Sequence, residues 1–173
     1  CADNMSHALF ELAHISERRI DQIVDPSRSD LPAFLAKNSG LESGMMIVHY
    51  VAAAALAEMH ARASPRSAFS TPTSGGQEDH VSMGATACWN LVETCKHLSQ
   101  VLACELLIAC EALEHRMAEP ANHVKSLYSL VRKISKPLTA DRATSDEIQL
   151  IANELTNGGW LARIEAECGR LPR

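Results

Sequence analysis

Between Val81 and Leu113, small and apolar residues recur in steps of four and three: Val81, Ala85, Cys88, Val92, Cys95, Ser99, Leu102, Leu106, Ala109 and Leu113. A strand scatters such a set over both faces. A helix gathers it into one stripe, the pattern of a bundle or coiled coil. A second stripe, Leu91, Leu98, Val101 and Ile108, widens the apolar face and favours a multi-helix bundle over an isolated pair. A helix over roughly 80–116 would be about 55 Å long, so the rest of the chain must pack along it.

The remaining pattern is also helical. Met5, Leu9, Leu12, Ile20, Ile23 and Val24 recur at helical spacing over about 3–24. Asp3 or Asn4 is the expected N-cap, and the stop falls before Asp25-Pro26-Ser27. A loop with Pro26, Pro32 and Gly40 follows. The next helix spans about 43–63, with Ser43 as its expected cap. It is apolar almost all round, which predicts burial on every side and a partner subunit or further sequence around it. Residues 63–76 read as loop. Beyond the long helix, shorter helices are expected over about 121–168, with Thr144-Ser145-Asp146-Glu147 as a capping box and Asn157-Gly158-Gly159 as a stop. The whole, 1–173, reads as one all-α unit.

Composition agrees. Aromatic residues are only 4% of the chain while 46% is hydrophobic, so the core is built from Ala, Leu, Ile, Val and Met, which suits close-packed helices. A net charge of −5 and a pI near 5.9 exclude a duplex-coating nucleic-acid binder, which needs clustered Lys and Arg. The longest apolar run, residues 45–57, is broken by His49 and too short for a bilayer. There is no basic-then-apolar leader at the start. The six cysteines form no CxxC pair and read as reduced, buried small hydrophobes of a cytoplasmic protein. A first residue other than Met, leading straight into a helix, suggests that sequence precedes Cys1.

Polar and ionisable residues concentrate in Ser70-Thr71-Pro72-Thr73-Ser74-Gly75-Gly76-Gln77-Glu78-Asp79-His80-Val81. A glycine-rich loop leading into a rigid helix is a common seat for catalytic side chains. Glu78 or Asp79 could equally cap the long helix, where the macrodipole favours negative charge. His49, Glu58 and His60 match no metal-ligand spacing, and no metal is expected. Cys88, Cys95 and Cys104 read as packing residues, and Arg18-Arg19 as a solvated face or ion-pair partners.

Four segments in order carry a more specific signal. They are Ser16-Glu17-Arg18-Arg19-Ile20, Leu31-Pro32-Ala33-Phe34-Leu35, Gly40-Leu41-Glu42-Ser43-Gly44-Met45-Met46-Ile47, and Pro72-Thr73-Ser74-Gly75-Gly76-Gln77-Glu78-Asp79-His80-Val81-Ser82-Met83-Gly84. Together they resemble the C-terminal part of the aromatic amino acid lyase and aminomutase family, and within it the histidine ammonia-lyases. The resemblance runs from residue 1 to about Arg116 and more weakly beyond. It implies a helical tetramer with active sites shared between subunits and a small amino acid as substrate. It also implies a protein-derived methylidene-imidazolone made from an internal Ala-Ser-Gly. It gives Glu78 a catalytic role, with Gln77, Asp79 and His80 binding substrate or supporting it. A glutamate at 78, where tyrosine and phenylalanine enzymes more often carry an amide, points to L-histidine and its deamination to urocanate.

The departures matter as much. No Ala-Ser-Gly occurs in the chain, and the family's Gly-Asn-Phe-His segment is absent, so the chain by itself is expected to be inactive. Gly75-Gly76 replaces a common Ala-Asn, which suggests a looser loop. Helix N-termini at Ser43-Gly44 and near Glu78-Asp79 could both face an anionic group. The alternative reading is a non-catalytic helical oligomerisation module derived from the same family.

Overall fold

The computed structural model describes residues 1–116 and 119–170. Seven α-helices occur among them: α1 (Ala2–Val24), the single-turn α2 (Pro26–Ser29), α3 (Met46–Arg62), α4 (Gly84–Glu114), α5 (Asn122–Ile134), α6 (Ser145–Asn157) and α7 (Gly159–Cys168). The described residues form no strand, only isolated bridges at Ser39–Glu42 and Thr73–Glu78. The all-α expectation therefore holds.

The long helix α4 is the axis against which α1, α3 and α6 pack, while α5 lies on α7. Alanines make the close approach possible: Ala13 on α1, Ala52 and Ala55 on α3, and Ala103 on α4 are all buried. Around them Ile20, Met45, Val48, Leu107 and Ile108 close the main core, which continues through Val131, Ile151 and Trp160 of the last three helices. Ala13, Ala55, Met59 and Val101 form a smaller cluster at the other end of α3.

The stripe that dominates α4 in sequence is not the stripe that enters this core. Ala87, Asn90, Thr94, Val101, Cys104, Leu107 and Ile108 are buried. Of the first stripe, Ala85, Cys88, Val92 and Cys95 are exposed and Ser99, Leu102, Leu106, Ala109 and Leu113 only half-buried. The inward face thus takes Val101 and Ile108 of the second stripe, whose Leu91 and Leu98 are half-buried, together with Glu111 and two uncharged polar residues: Asn90 Nδ2 donates to the Arg62 carbonyl at 2.8 Å and Thr94 Oγ1 to the Asn90 carbonyl at 2.9 Å.

Helix α3 departs from expectation in the same way. Val48, Ala52, Ala55 and Met59 are buried, but Ile47 is 56% and Tyr50 62% exposed, because within one chain only one face of α3 meets a neighbour. On α1, Ile20 and Val24 point inward, whereas Met5, Leu12 and Ile15 are exposed. The cysteine expectation is half right. Cys104 and Cys110 of α4 are buried, but Cys1, Cys88 and Cys95 are exposed, since Cys88 and Cys95 ride the outward stripe of the same helix.

None of the expected side-chain caps forms, and most helix starts shift, although α6 begins at Ser145 with Thr144 at the cap position as expected. Helix α1 begins at Ala2, so Asp3 lies inside its first turn rather than at its cap. Helix α3 begins at Met46 with no side-chain cap. The Ser43 and Gly44 amides donate instead to the Asp141 carboxylate at 2.8 and 2.9 Å. At α6, Thr144 makes no cap bond, and Glu147 is engaged by Ser135 Oγ and Arg142. Stops fare better: α1 ends before Asp25-Pro26, and α6 ends on Gly158 in the left-handed region.

Candidate active-site loop

The polar loop is anchored at both ends before it reaches its tip. On the incoming side, the Asp3 carboxylate accepts the Arg66 and Ser67 amides, each at 3.0 Å, and the Ser67 hydroxyl at 2.5 Å. These hydrogen bonds, Ser67's hydroxyl foremost, hold the Asp3 carboxyl below its usual range. On the outgoing side the chain enters α4, whose Asn90 is tied to the end of α3.

Between these anchors, Ser70 Oγ accepts the Val81 amide at 3.0 Å and donates to the Val81 carbonyl at 3.1 Å. Thr73 and Glu78 exchange backbone bonds, with Thr73 N to Glu78 O at 3.0 Å and Glu78 N to Thr73 O at 3.3 Å. The chain reverses through Ser74, Gly75 and Gly76, with φ of +56°, +64° and +89°. Three consecutive left-handed residues are tolerable here because two of them lack a Cβ. Gly75-Gly76 therefore serves a defined turn.

Gln77, Glu78, Asp79 and His80 follow that turn, and all four are exposed. Among the described residues none of their side chains has a hydrogen-bond or ion-pair partner. The capping reading of Glu78 and Asp79 is overturned, because α4 starts only at Gly84, with Met83 at the cap position, and the macrodipole reaches little beyond the first turn. What remains is a bracketed loop that presents one carboxamide, two carboxylates and one imidazole to solvent. Such a set can accept a proton, pair with a cation and hydrogen-bond a polar ligand.

The other candidates are accounted for within the fold. His49 Nε2 lies 2.7 Å from Glu17 Oε1, while Arg18 holds the same carboxylate through two bonds of 2.6 Å. Burial raises the Glu17 pKa most strongly, but the bonds from His49 and Arg18 together outweigh it, so the carboxyl lies below its usual range. His60 is tilted against Phe10, ring centroids 5.5 Å apart, and Glu58 reaches Arg62 at 3.9 Å. No three metal-ligating side chains gather among the described residues. Arg19 pairs with Glu105 of α4.

The anion-facing N-terminus expected at Ser43-Gly44 is filled by Asp141 from the chain itself. That contact lies on the wall of a cavity of about 480 Å³ between the starts of α3 and α6. The bracketing roles of Asp3, Ser70 and Asp141 escaped sequence reasoning: each acts on backbone far from it in sequence, and a lone Ser or Asp carries no sequence signal of that.

No helix of the described residues is long and apolar enough to cross a membrane. Comparison with known proteins places this arrangement. The family model for aromatic amino acid lyases matches residues 1–133. A histidine ammonia-lyase of Symbiobacterium thermophilum is 41% identical over 98% of this chain and 34% of its own length. A bovine (Bos taurus) histidine ammonia-lyase is 43% identical over 85% of this chain and 22% of its own. The chain thus spans about a third or less of the curated relatives it matches. Among solved structures, histidine ammonia-lyase from Trypanosoma cruzi superposes with a TM-score of 0.90 at 36% identity, over 96% of this chain and 33% of that one. Tyrosine aminomutase from Streptomyces globisporus gives 0.94 at 31% identity, over 99% and 33%. The helical scaffold, the ordered motifs and the extent of these matches agree, and the chain belongs to the aromatic amino acid lyase family.

Proposed function

We propose that residues 1–173 form one helical unit of a larger, cytoplasmic ammonia-lyase and supply its acidic loop, acting on L-histidine. The observation that carries this reading is the exposed Gln77-Glu78-Asp79-His80 set on a hydrogen-bonded loop in a chain of this family. Glu78 contacts the substrate and takes the proton. The Cβ–H bond breaks toward its carboxylate, the released electron pair forms the Cα=Cβ bond, and ammonia departs with the Cα–N pair, leaving urocanate. A carboxylate can accept that proton and an amide cannot. Gln77 and Asp79 position Glu78, and His80 supports substrate binding.

The family's methylidene-imidazolone supplies the electrophile for this reaction. No Ala-Ser-Gly occurs in the 173 residues, so these residues do not make that group and no step through it is assigned to them. The chain alone is accordingly inactive. The outward faces of α1, α3 and α4, with Leu12, Ile15, Ile47, Tyr50, Trp89 and Val92 all more than two-fifths exposed, pack against further copies in a dimer or tetramer, since exposed apolar surface of this extent drives association. Those faces also favour the second reading, a non-catalytic oligomerisation module.

A substrate panel distinguishes the two. Urocanate is expected from L-histidine with the complete enzyme, faster than deamination of L-tyrosine or L-phenylalanine, and none with the purified chain. Preference for another amino acid would overturn the substrate, and deamination by the chain alone would overturn its inactivity. A complete polypeptide inert toward all three would favour the module.

A further inference from the structure

We propose that Ser70 is a positioning residue, whose hydroxyl fixes the loop that presents Glu78. The inference rests on the reading of Glu78 given above. Residues 71–80 are exposed throughout, whereas Ser70 and Val81 at the loop's base are half-buried. One hydroxyl satisfies both backbone groups of Val81, at 3.0 Å and 3.1 Å. The inner Thr73–Glu78 pair is exposed, so water competes for its bonds and it holds the loop only weakly. The segment entering Ser70 is tied to α1 through Asp3, and the segment leaving Val81 runs into α4. The Ser70–Val81 pair is therefore the joint between two fixed ends, and Glu78 sits just before Val81 on the outgoing arm. Without the hydroxyl, the loop base loses its bracket and the carboxylate its fixed place.

The test is a double-mutant cycle in the complete enzyme, Ser70→Ala and Glu78→Gln alone and together, with Ser70→Thr as the conservative variant. Amide exchange of residues 68–83 is followed alongside turnover. Ser70→Ala is expected to speed exchange of the loop and to lower kcat/KM by about 10- to 100-fold, the scale of a misplaced catalytic group. Ser70→Thr, which keeps the hydroxyl, is expected to restore both. In the Glu78→Gln background Ser70→Ala is expected to cost no more than about twofold, because the two act on one event. An equal cost in both backgrounds would make Ser70 a purely structural residue and overturn the proposal. So would faster exchange with unchanged turnover, or no change in either while Glu78→Gln is impaired. If Glu78→Gln itself retains full activity, the reading of Glu78 fails first, and the positioning role fails with it.

Discussion

Replacing Arg132 with methionine tests how the C-terminal helices are held to the long axis of the fold. Its side chain is 9% exposed, and its Nη2 lies 3.0 Å from both Glu111 Oε2 and Glu114 Oε1 on α4. The guanidinium sits 5.3 Å above the Tyr128 ring. Glu111, whose side chain is 3% exposed, also accepts the Leu138 amide at 2.9 Å. Burial opposes the charge on Arg132 most strongly, yet its bonds to Tyr128 and Glu111 outweigh this and hold its pKa above the usual value.

Methionine keeps much of the volume but leaves Glu111 charged and buried with a single donor. Breaking such a pair costs about 3–5 kcal/mol, a large share of a total stability of roughly 5–15 kcal/mol. For a chain of this size the loss corresponds to a fall in Tm of about 6–20 °C. Thermal and urea melts followed by circular dichroism read it. Adding Glu111→Leu to the same variant should recover part of the loss, because the orphaned charge is gone. Recovery stays incomplete, since the Leu138 amide then lacks its acceptor, worth about 1–3 kcal/mol. A single variant within about 1 kcal/mol of the parent, the scale of an exposed pair, would refute the reasoning. A double variant no more stable than the single would refute it too.

Three further outcomes follow from other contacts. Gly44 has φ +55°, and a Cβ there would meet the Phe34 carbonyl oxygen at 2.4 Å, so Gly44→Ala should cost about 2–5 kcal/mol by backbone strain and overpacking, read from the same melts. Asp3, Glu17 and Asp141 all have carboxyls held below the usual range, Asp3 by Ser67, Asp141 by the Ser43 and Gly44 amides, and Glu17 by His49 and Arg18 against its burial. The stability they add is therefore complete above the ordinary carboxylate pKa of about 4 and lost as pH falls through their lower folded values; Asp141→Asn should flatten that acid limb, and an unchanged limb would contradict the assignment. Burial pushes the Cys104 thiol up to about 12 and the Cys110 thiol up to about 11, so neither should react with a thiol reagent until the chain unfolds, whereas protection of the exposed Cys88 and Cys95 would report that the outward face of α4 is covered.

The six longer helices were legible because period alone marks them, whereas the single-turn α2 falls in the stretch read as loop. Asp25-Pro26 and Asn157-Gly158 fixed two of the stops through φ preferences that act locally. The direction each helix faces was not. Helix α4 carries two apolar stripes, and the first half of its more regular one, Ala85 to Cys95, is exposed in the chain while Asn90 and Thr94 turn inward; only knowledge of the neighbouring helices decides between them. Caps failed for a related reason. Ser43, Thr144 and Asp3 are good capping residues, but the amides at Ser43 and Gly44 are satisfied by Asp141, and Asp3 serves residues 66 and 67. Such partners lie too far along the chain for local reasoning. The loop bearing Glu78 was found through its composition and its resemblance to the family, whereas its brackets at Ser70 and Asp3 emerged only from the fold.

The central claim is that Glu78 acts in ammonia elimination. It is tested most directly by the rate of urocanate formation from L-histidine in the complete enzyme, with and without Glu78→Gln, intact mass confirming that the prosthetic group has formed in both. Loss of the carboxylate is expected to slow turnover by on the order of 10²–10⁴. A variant that turns over at the parent rate would contradict the account and leave Glu78 as an exposed residue of a structural loop.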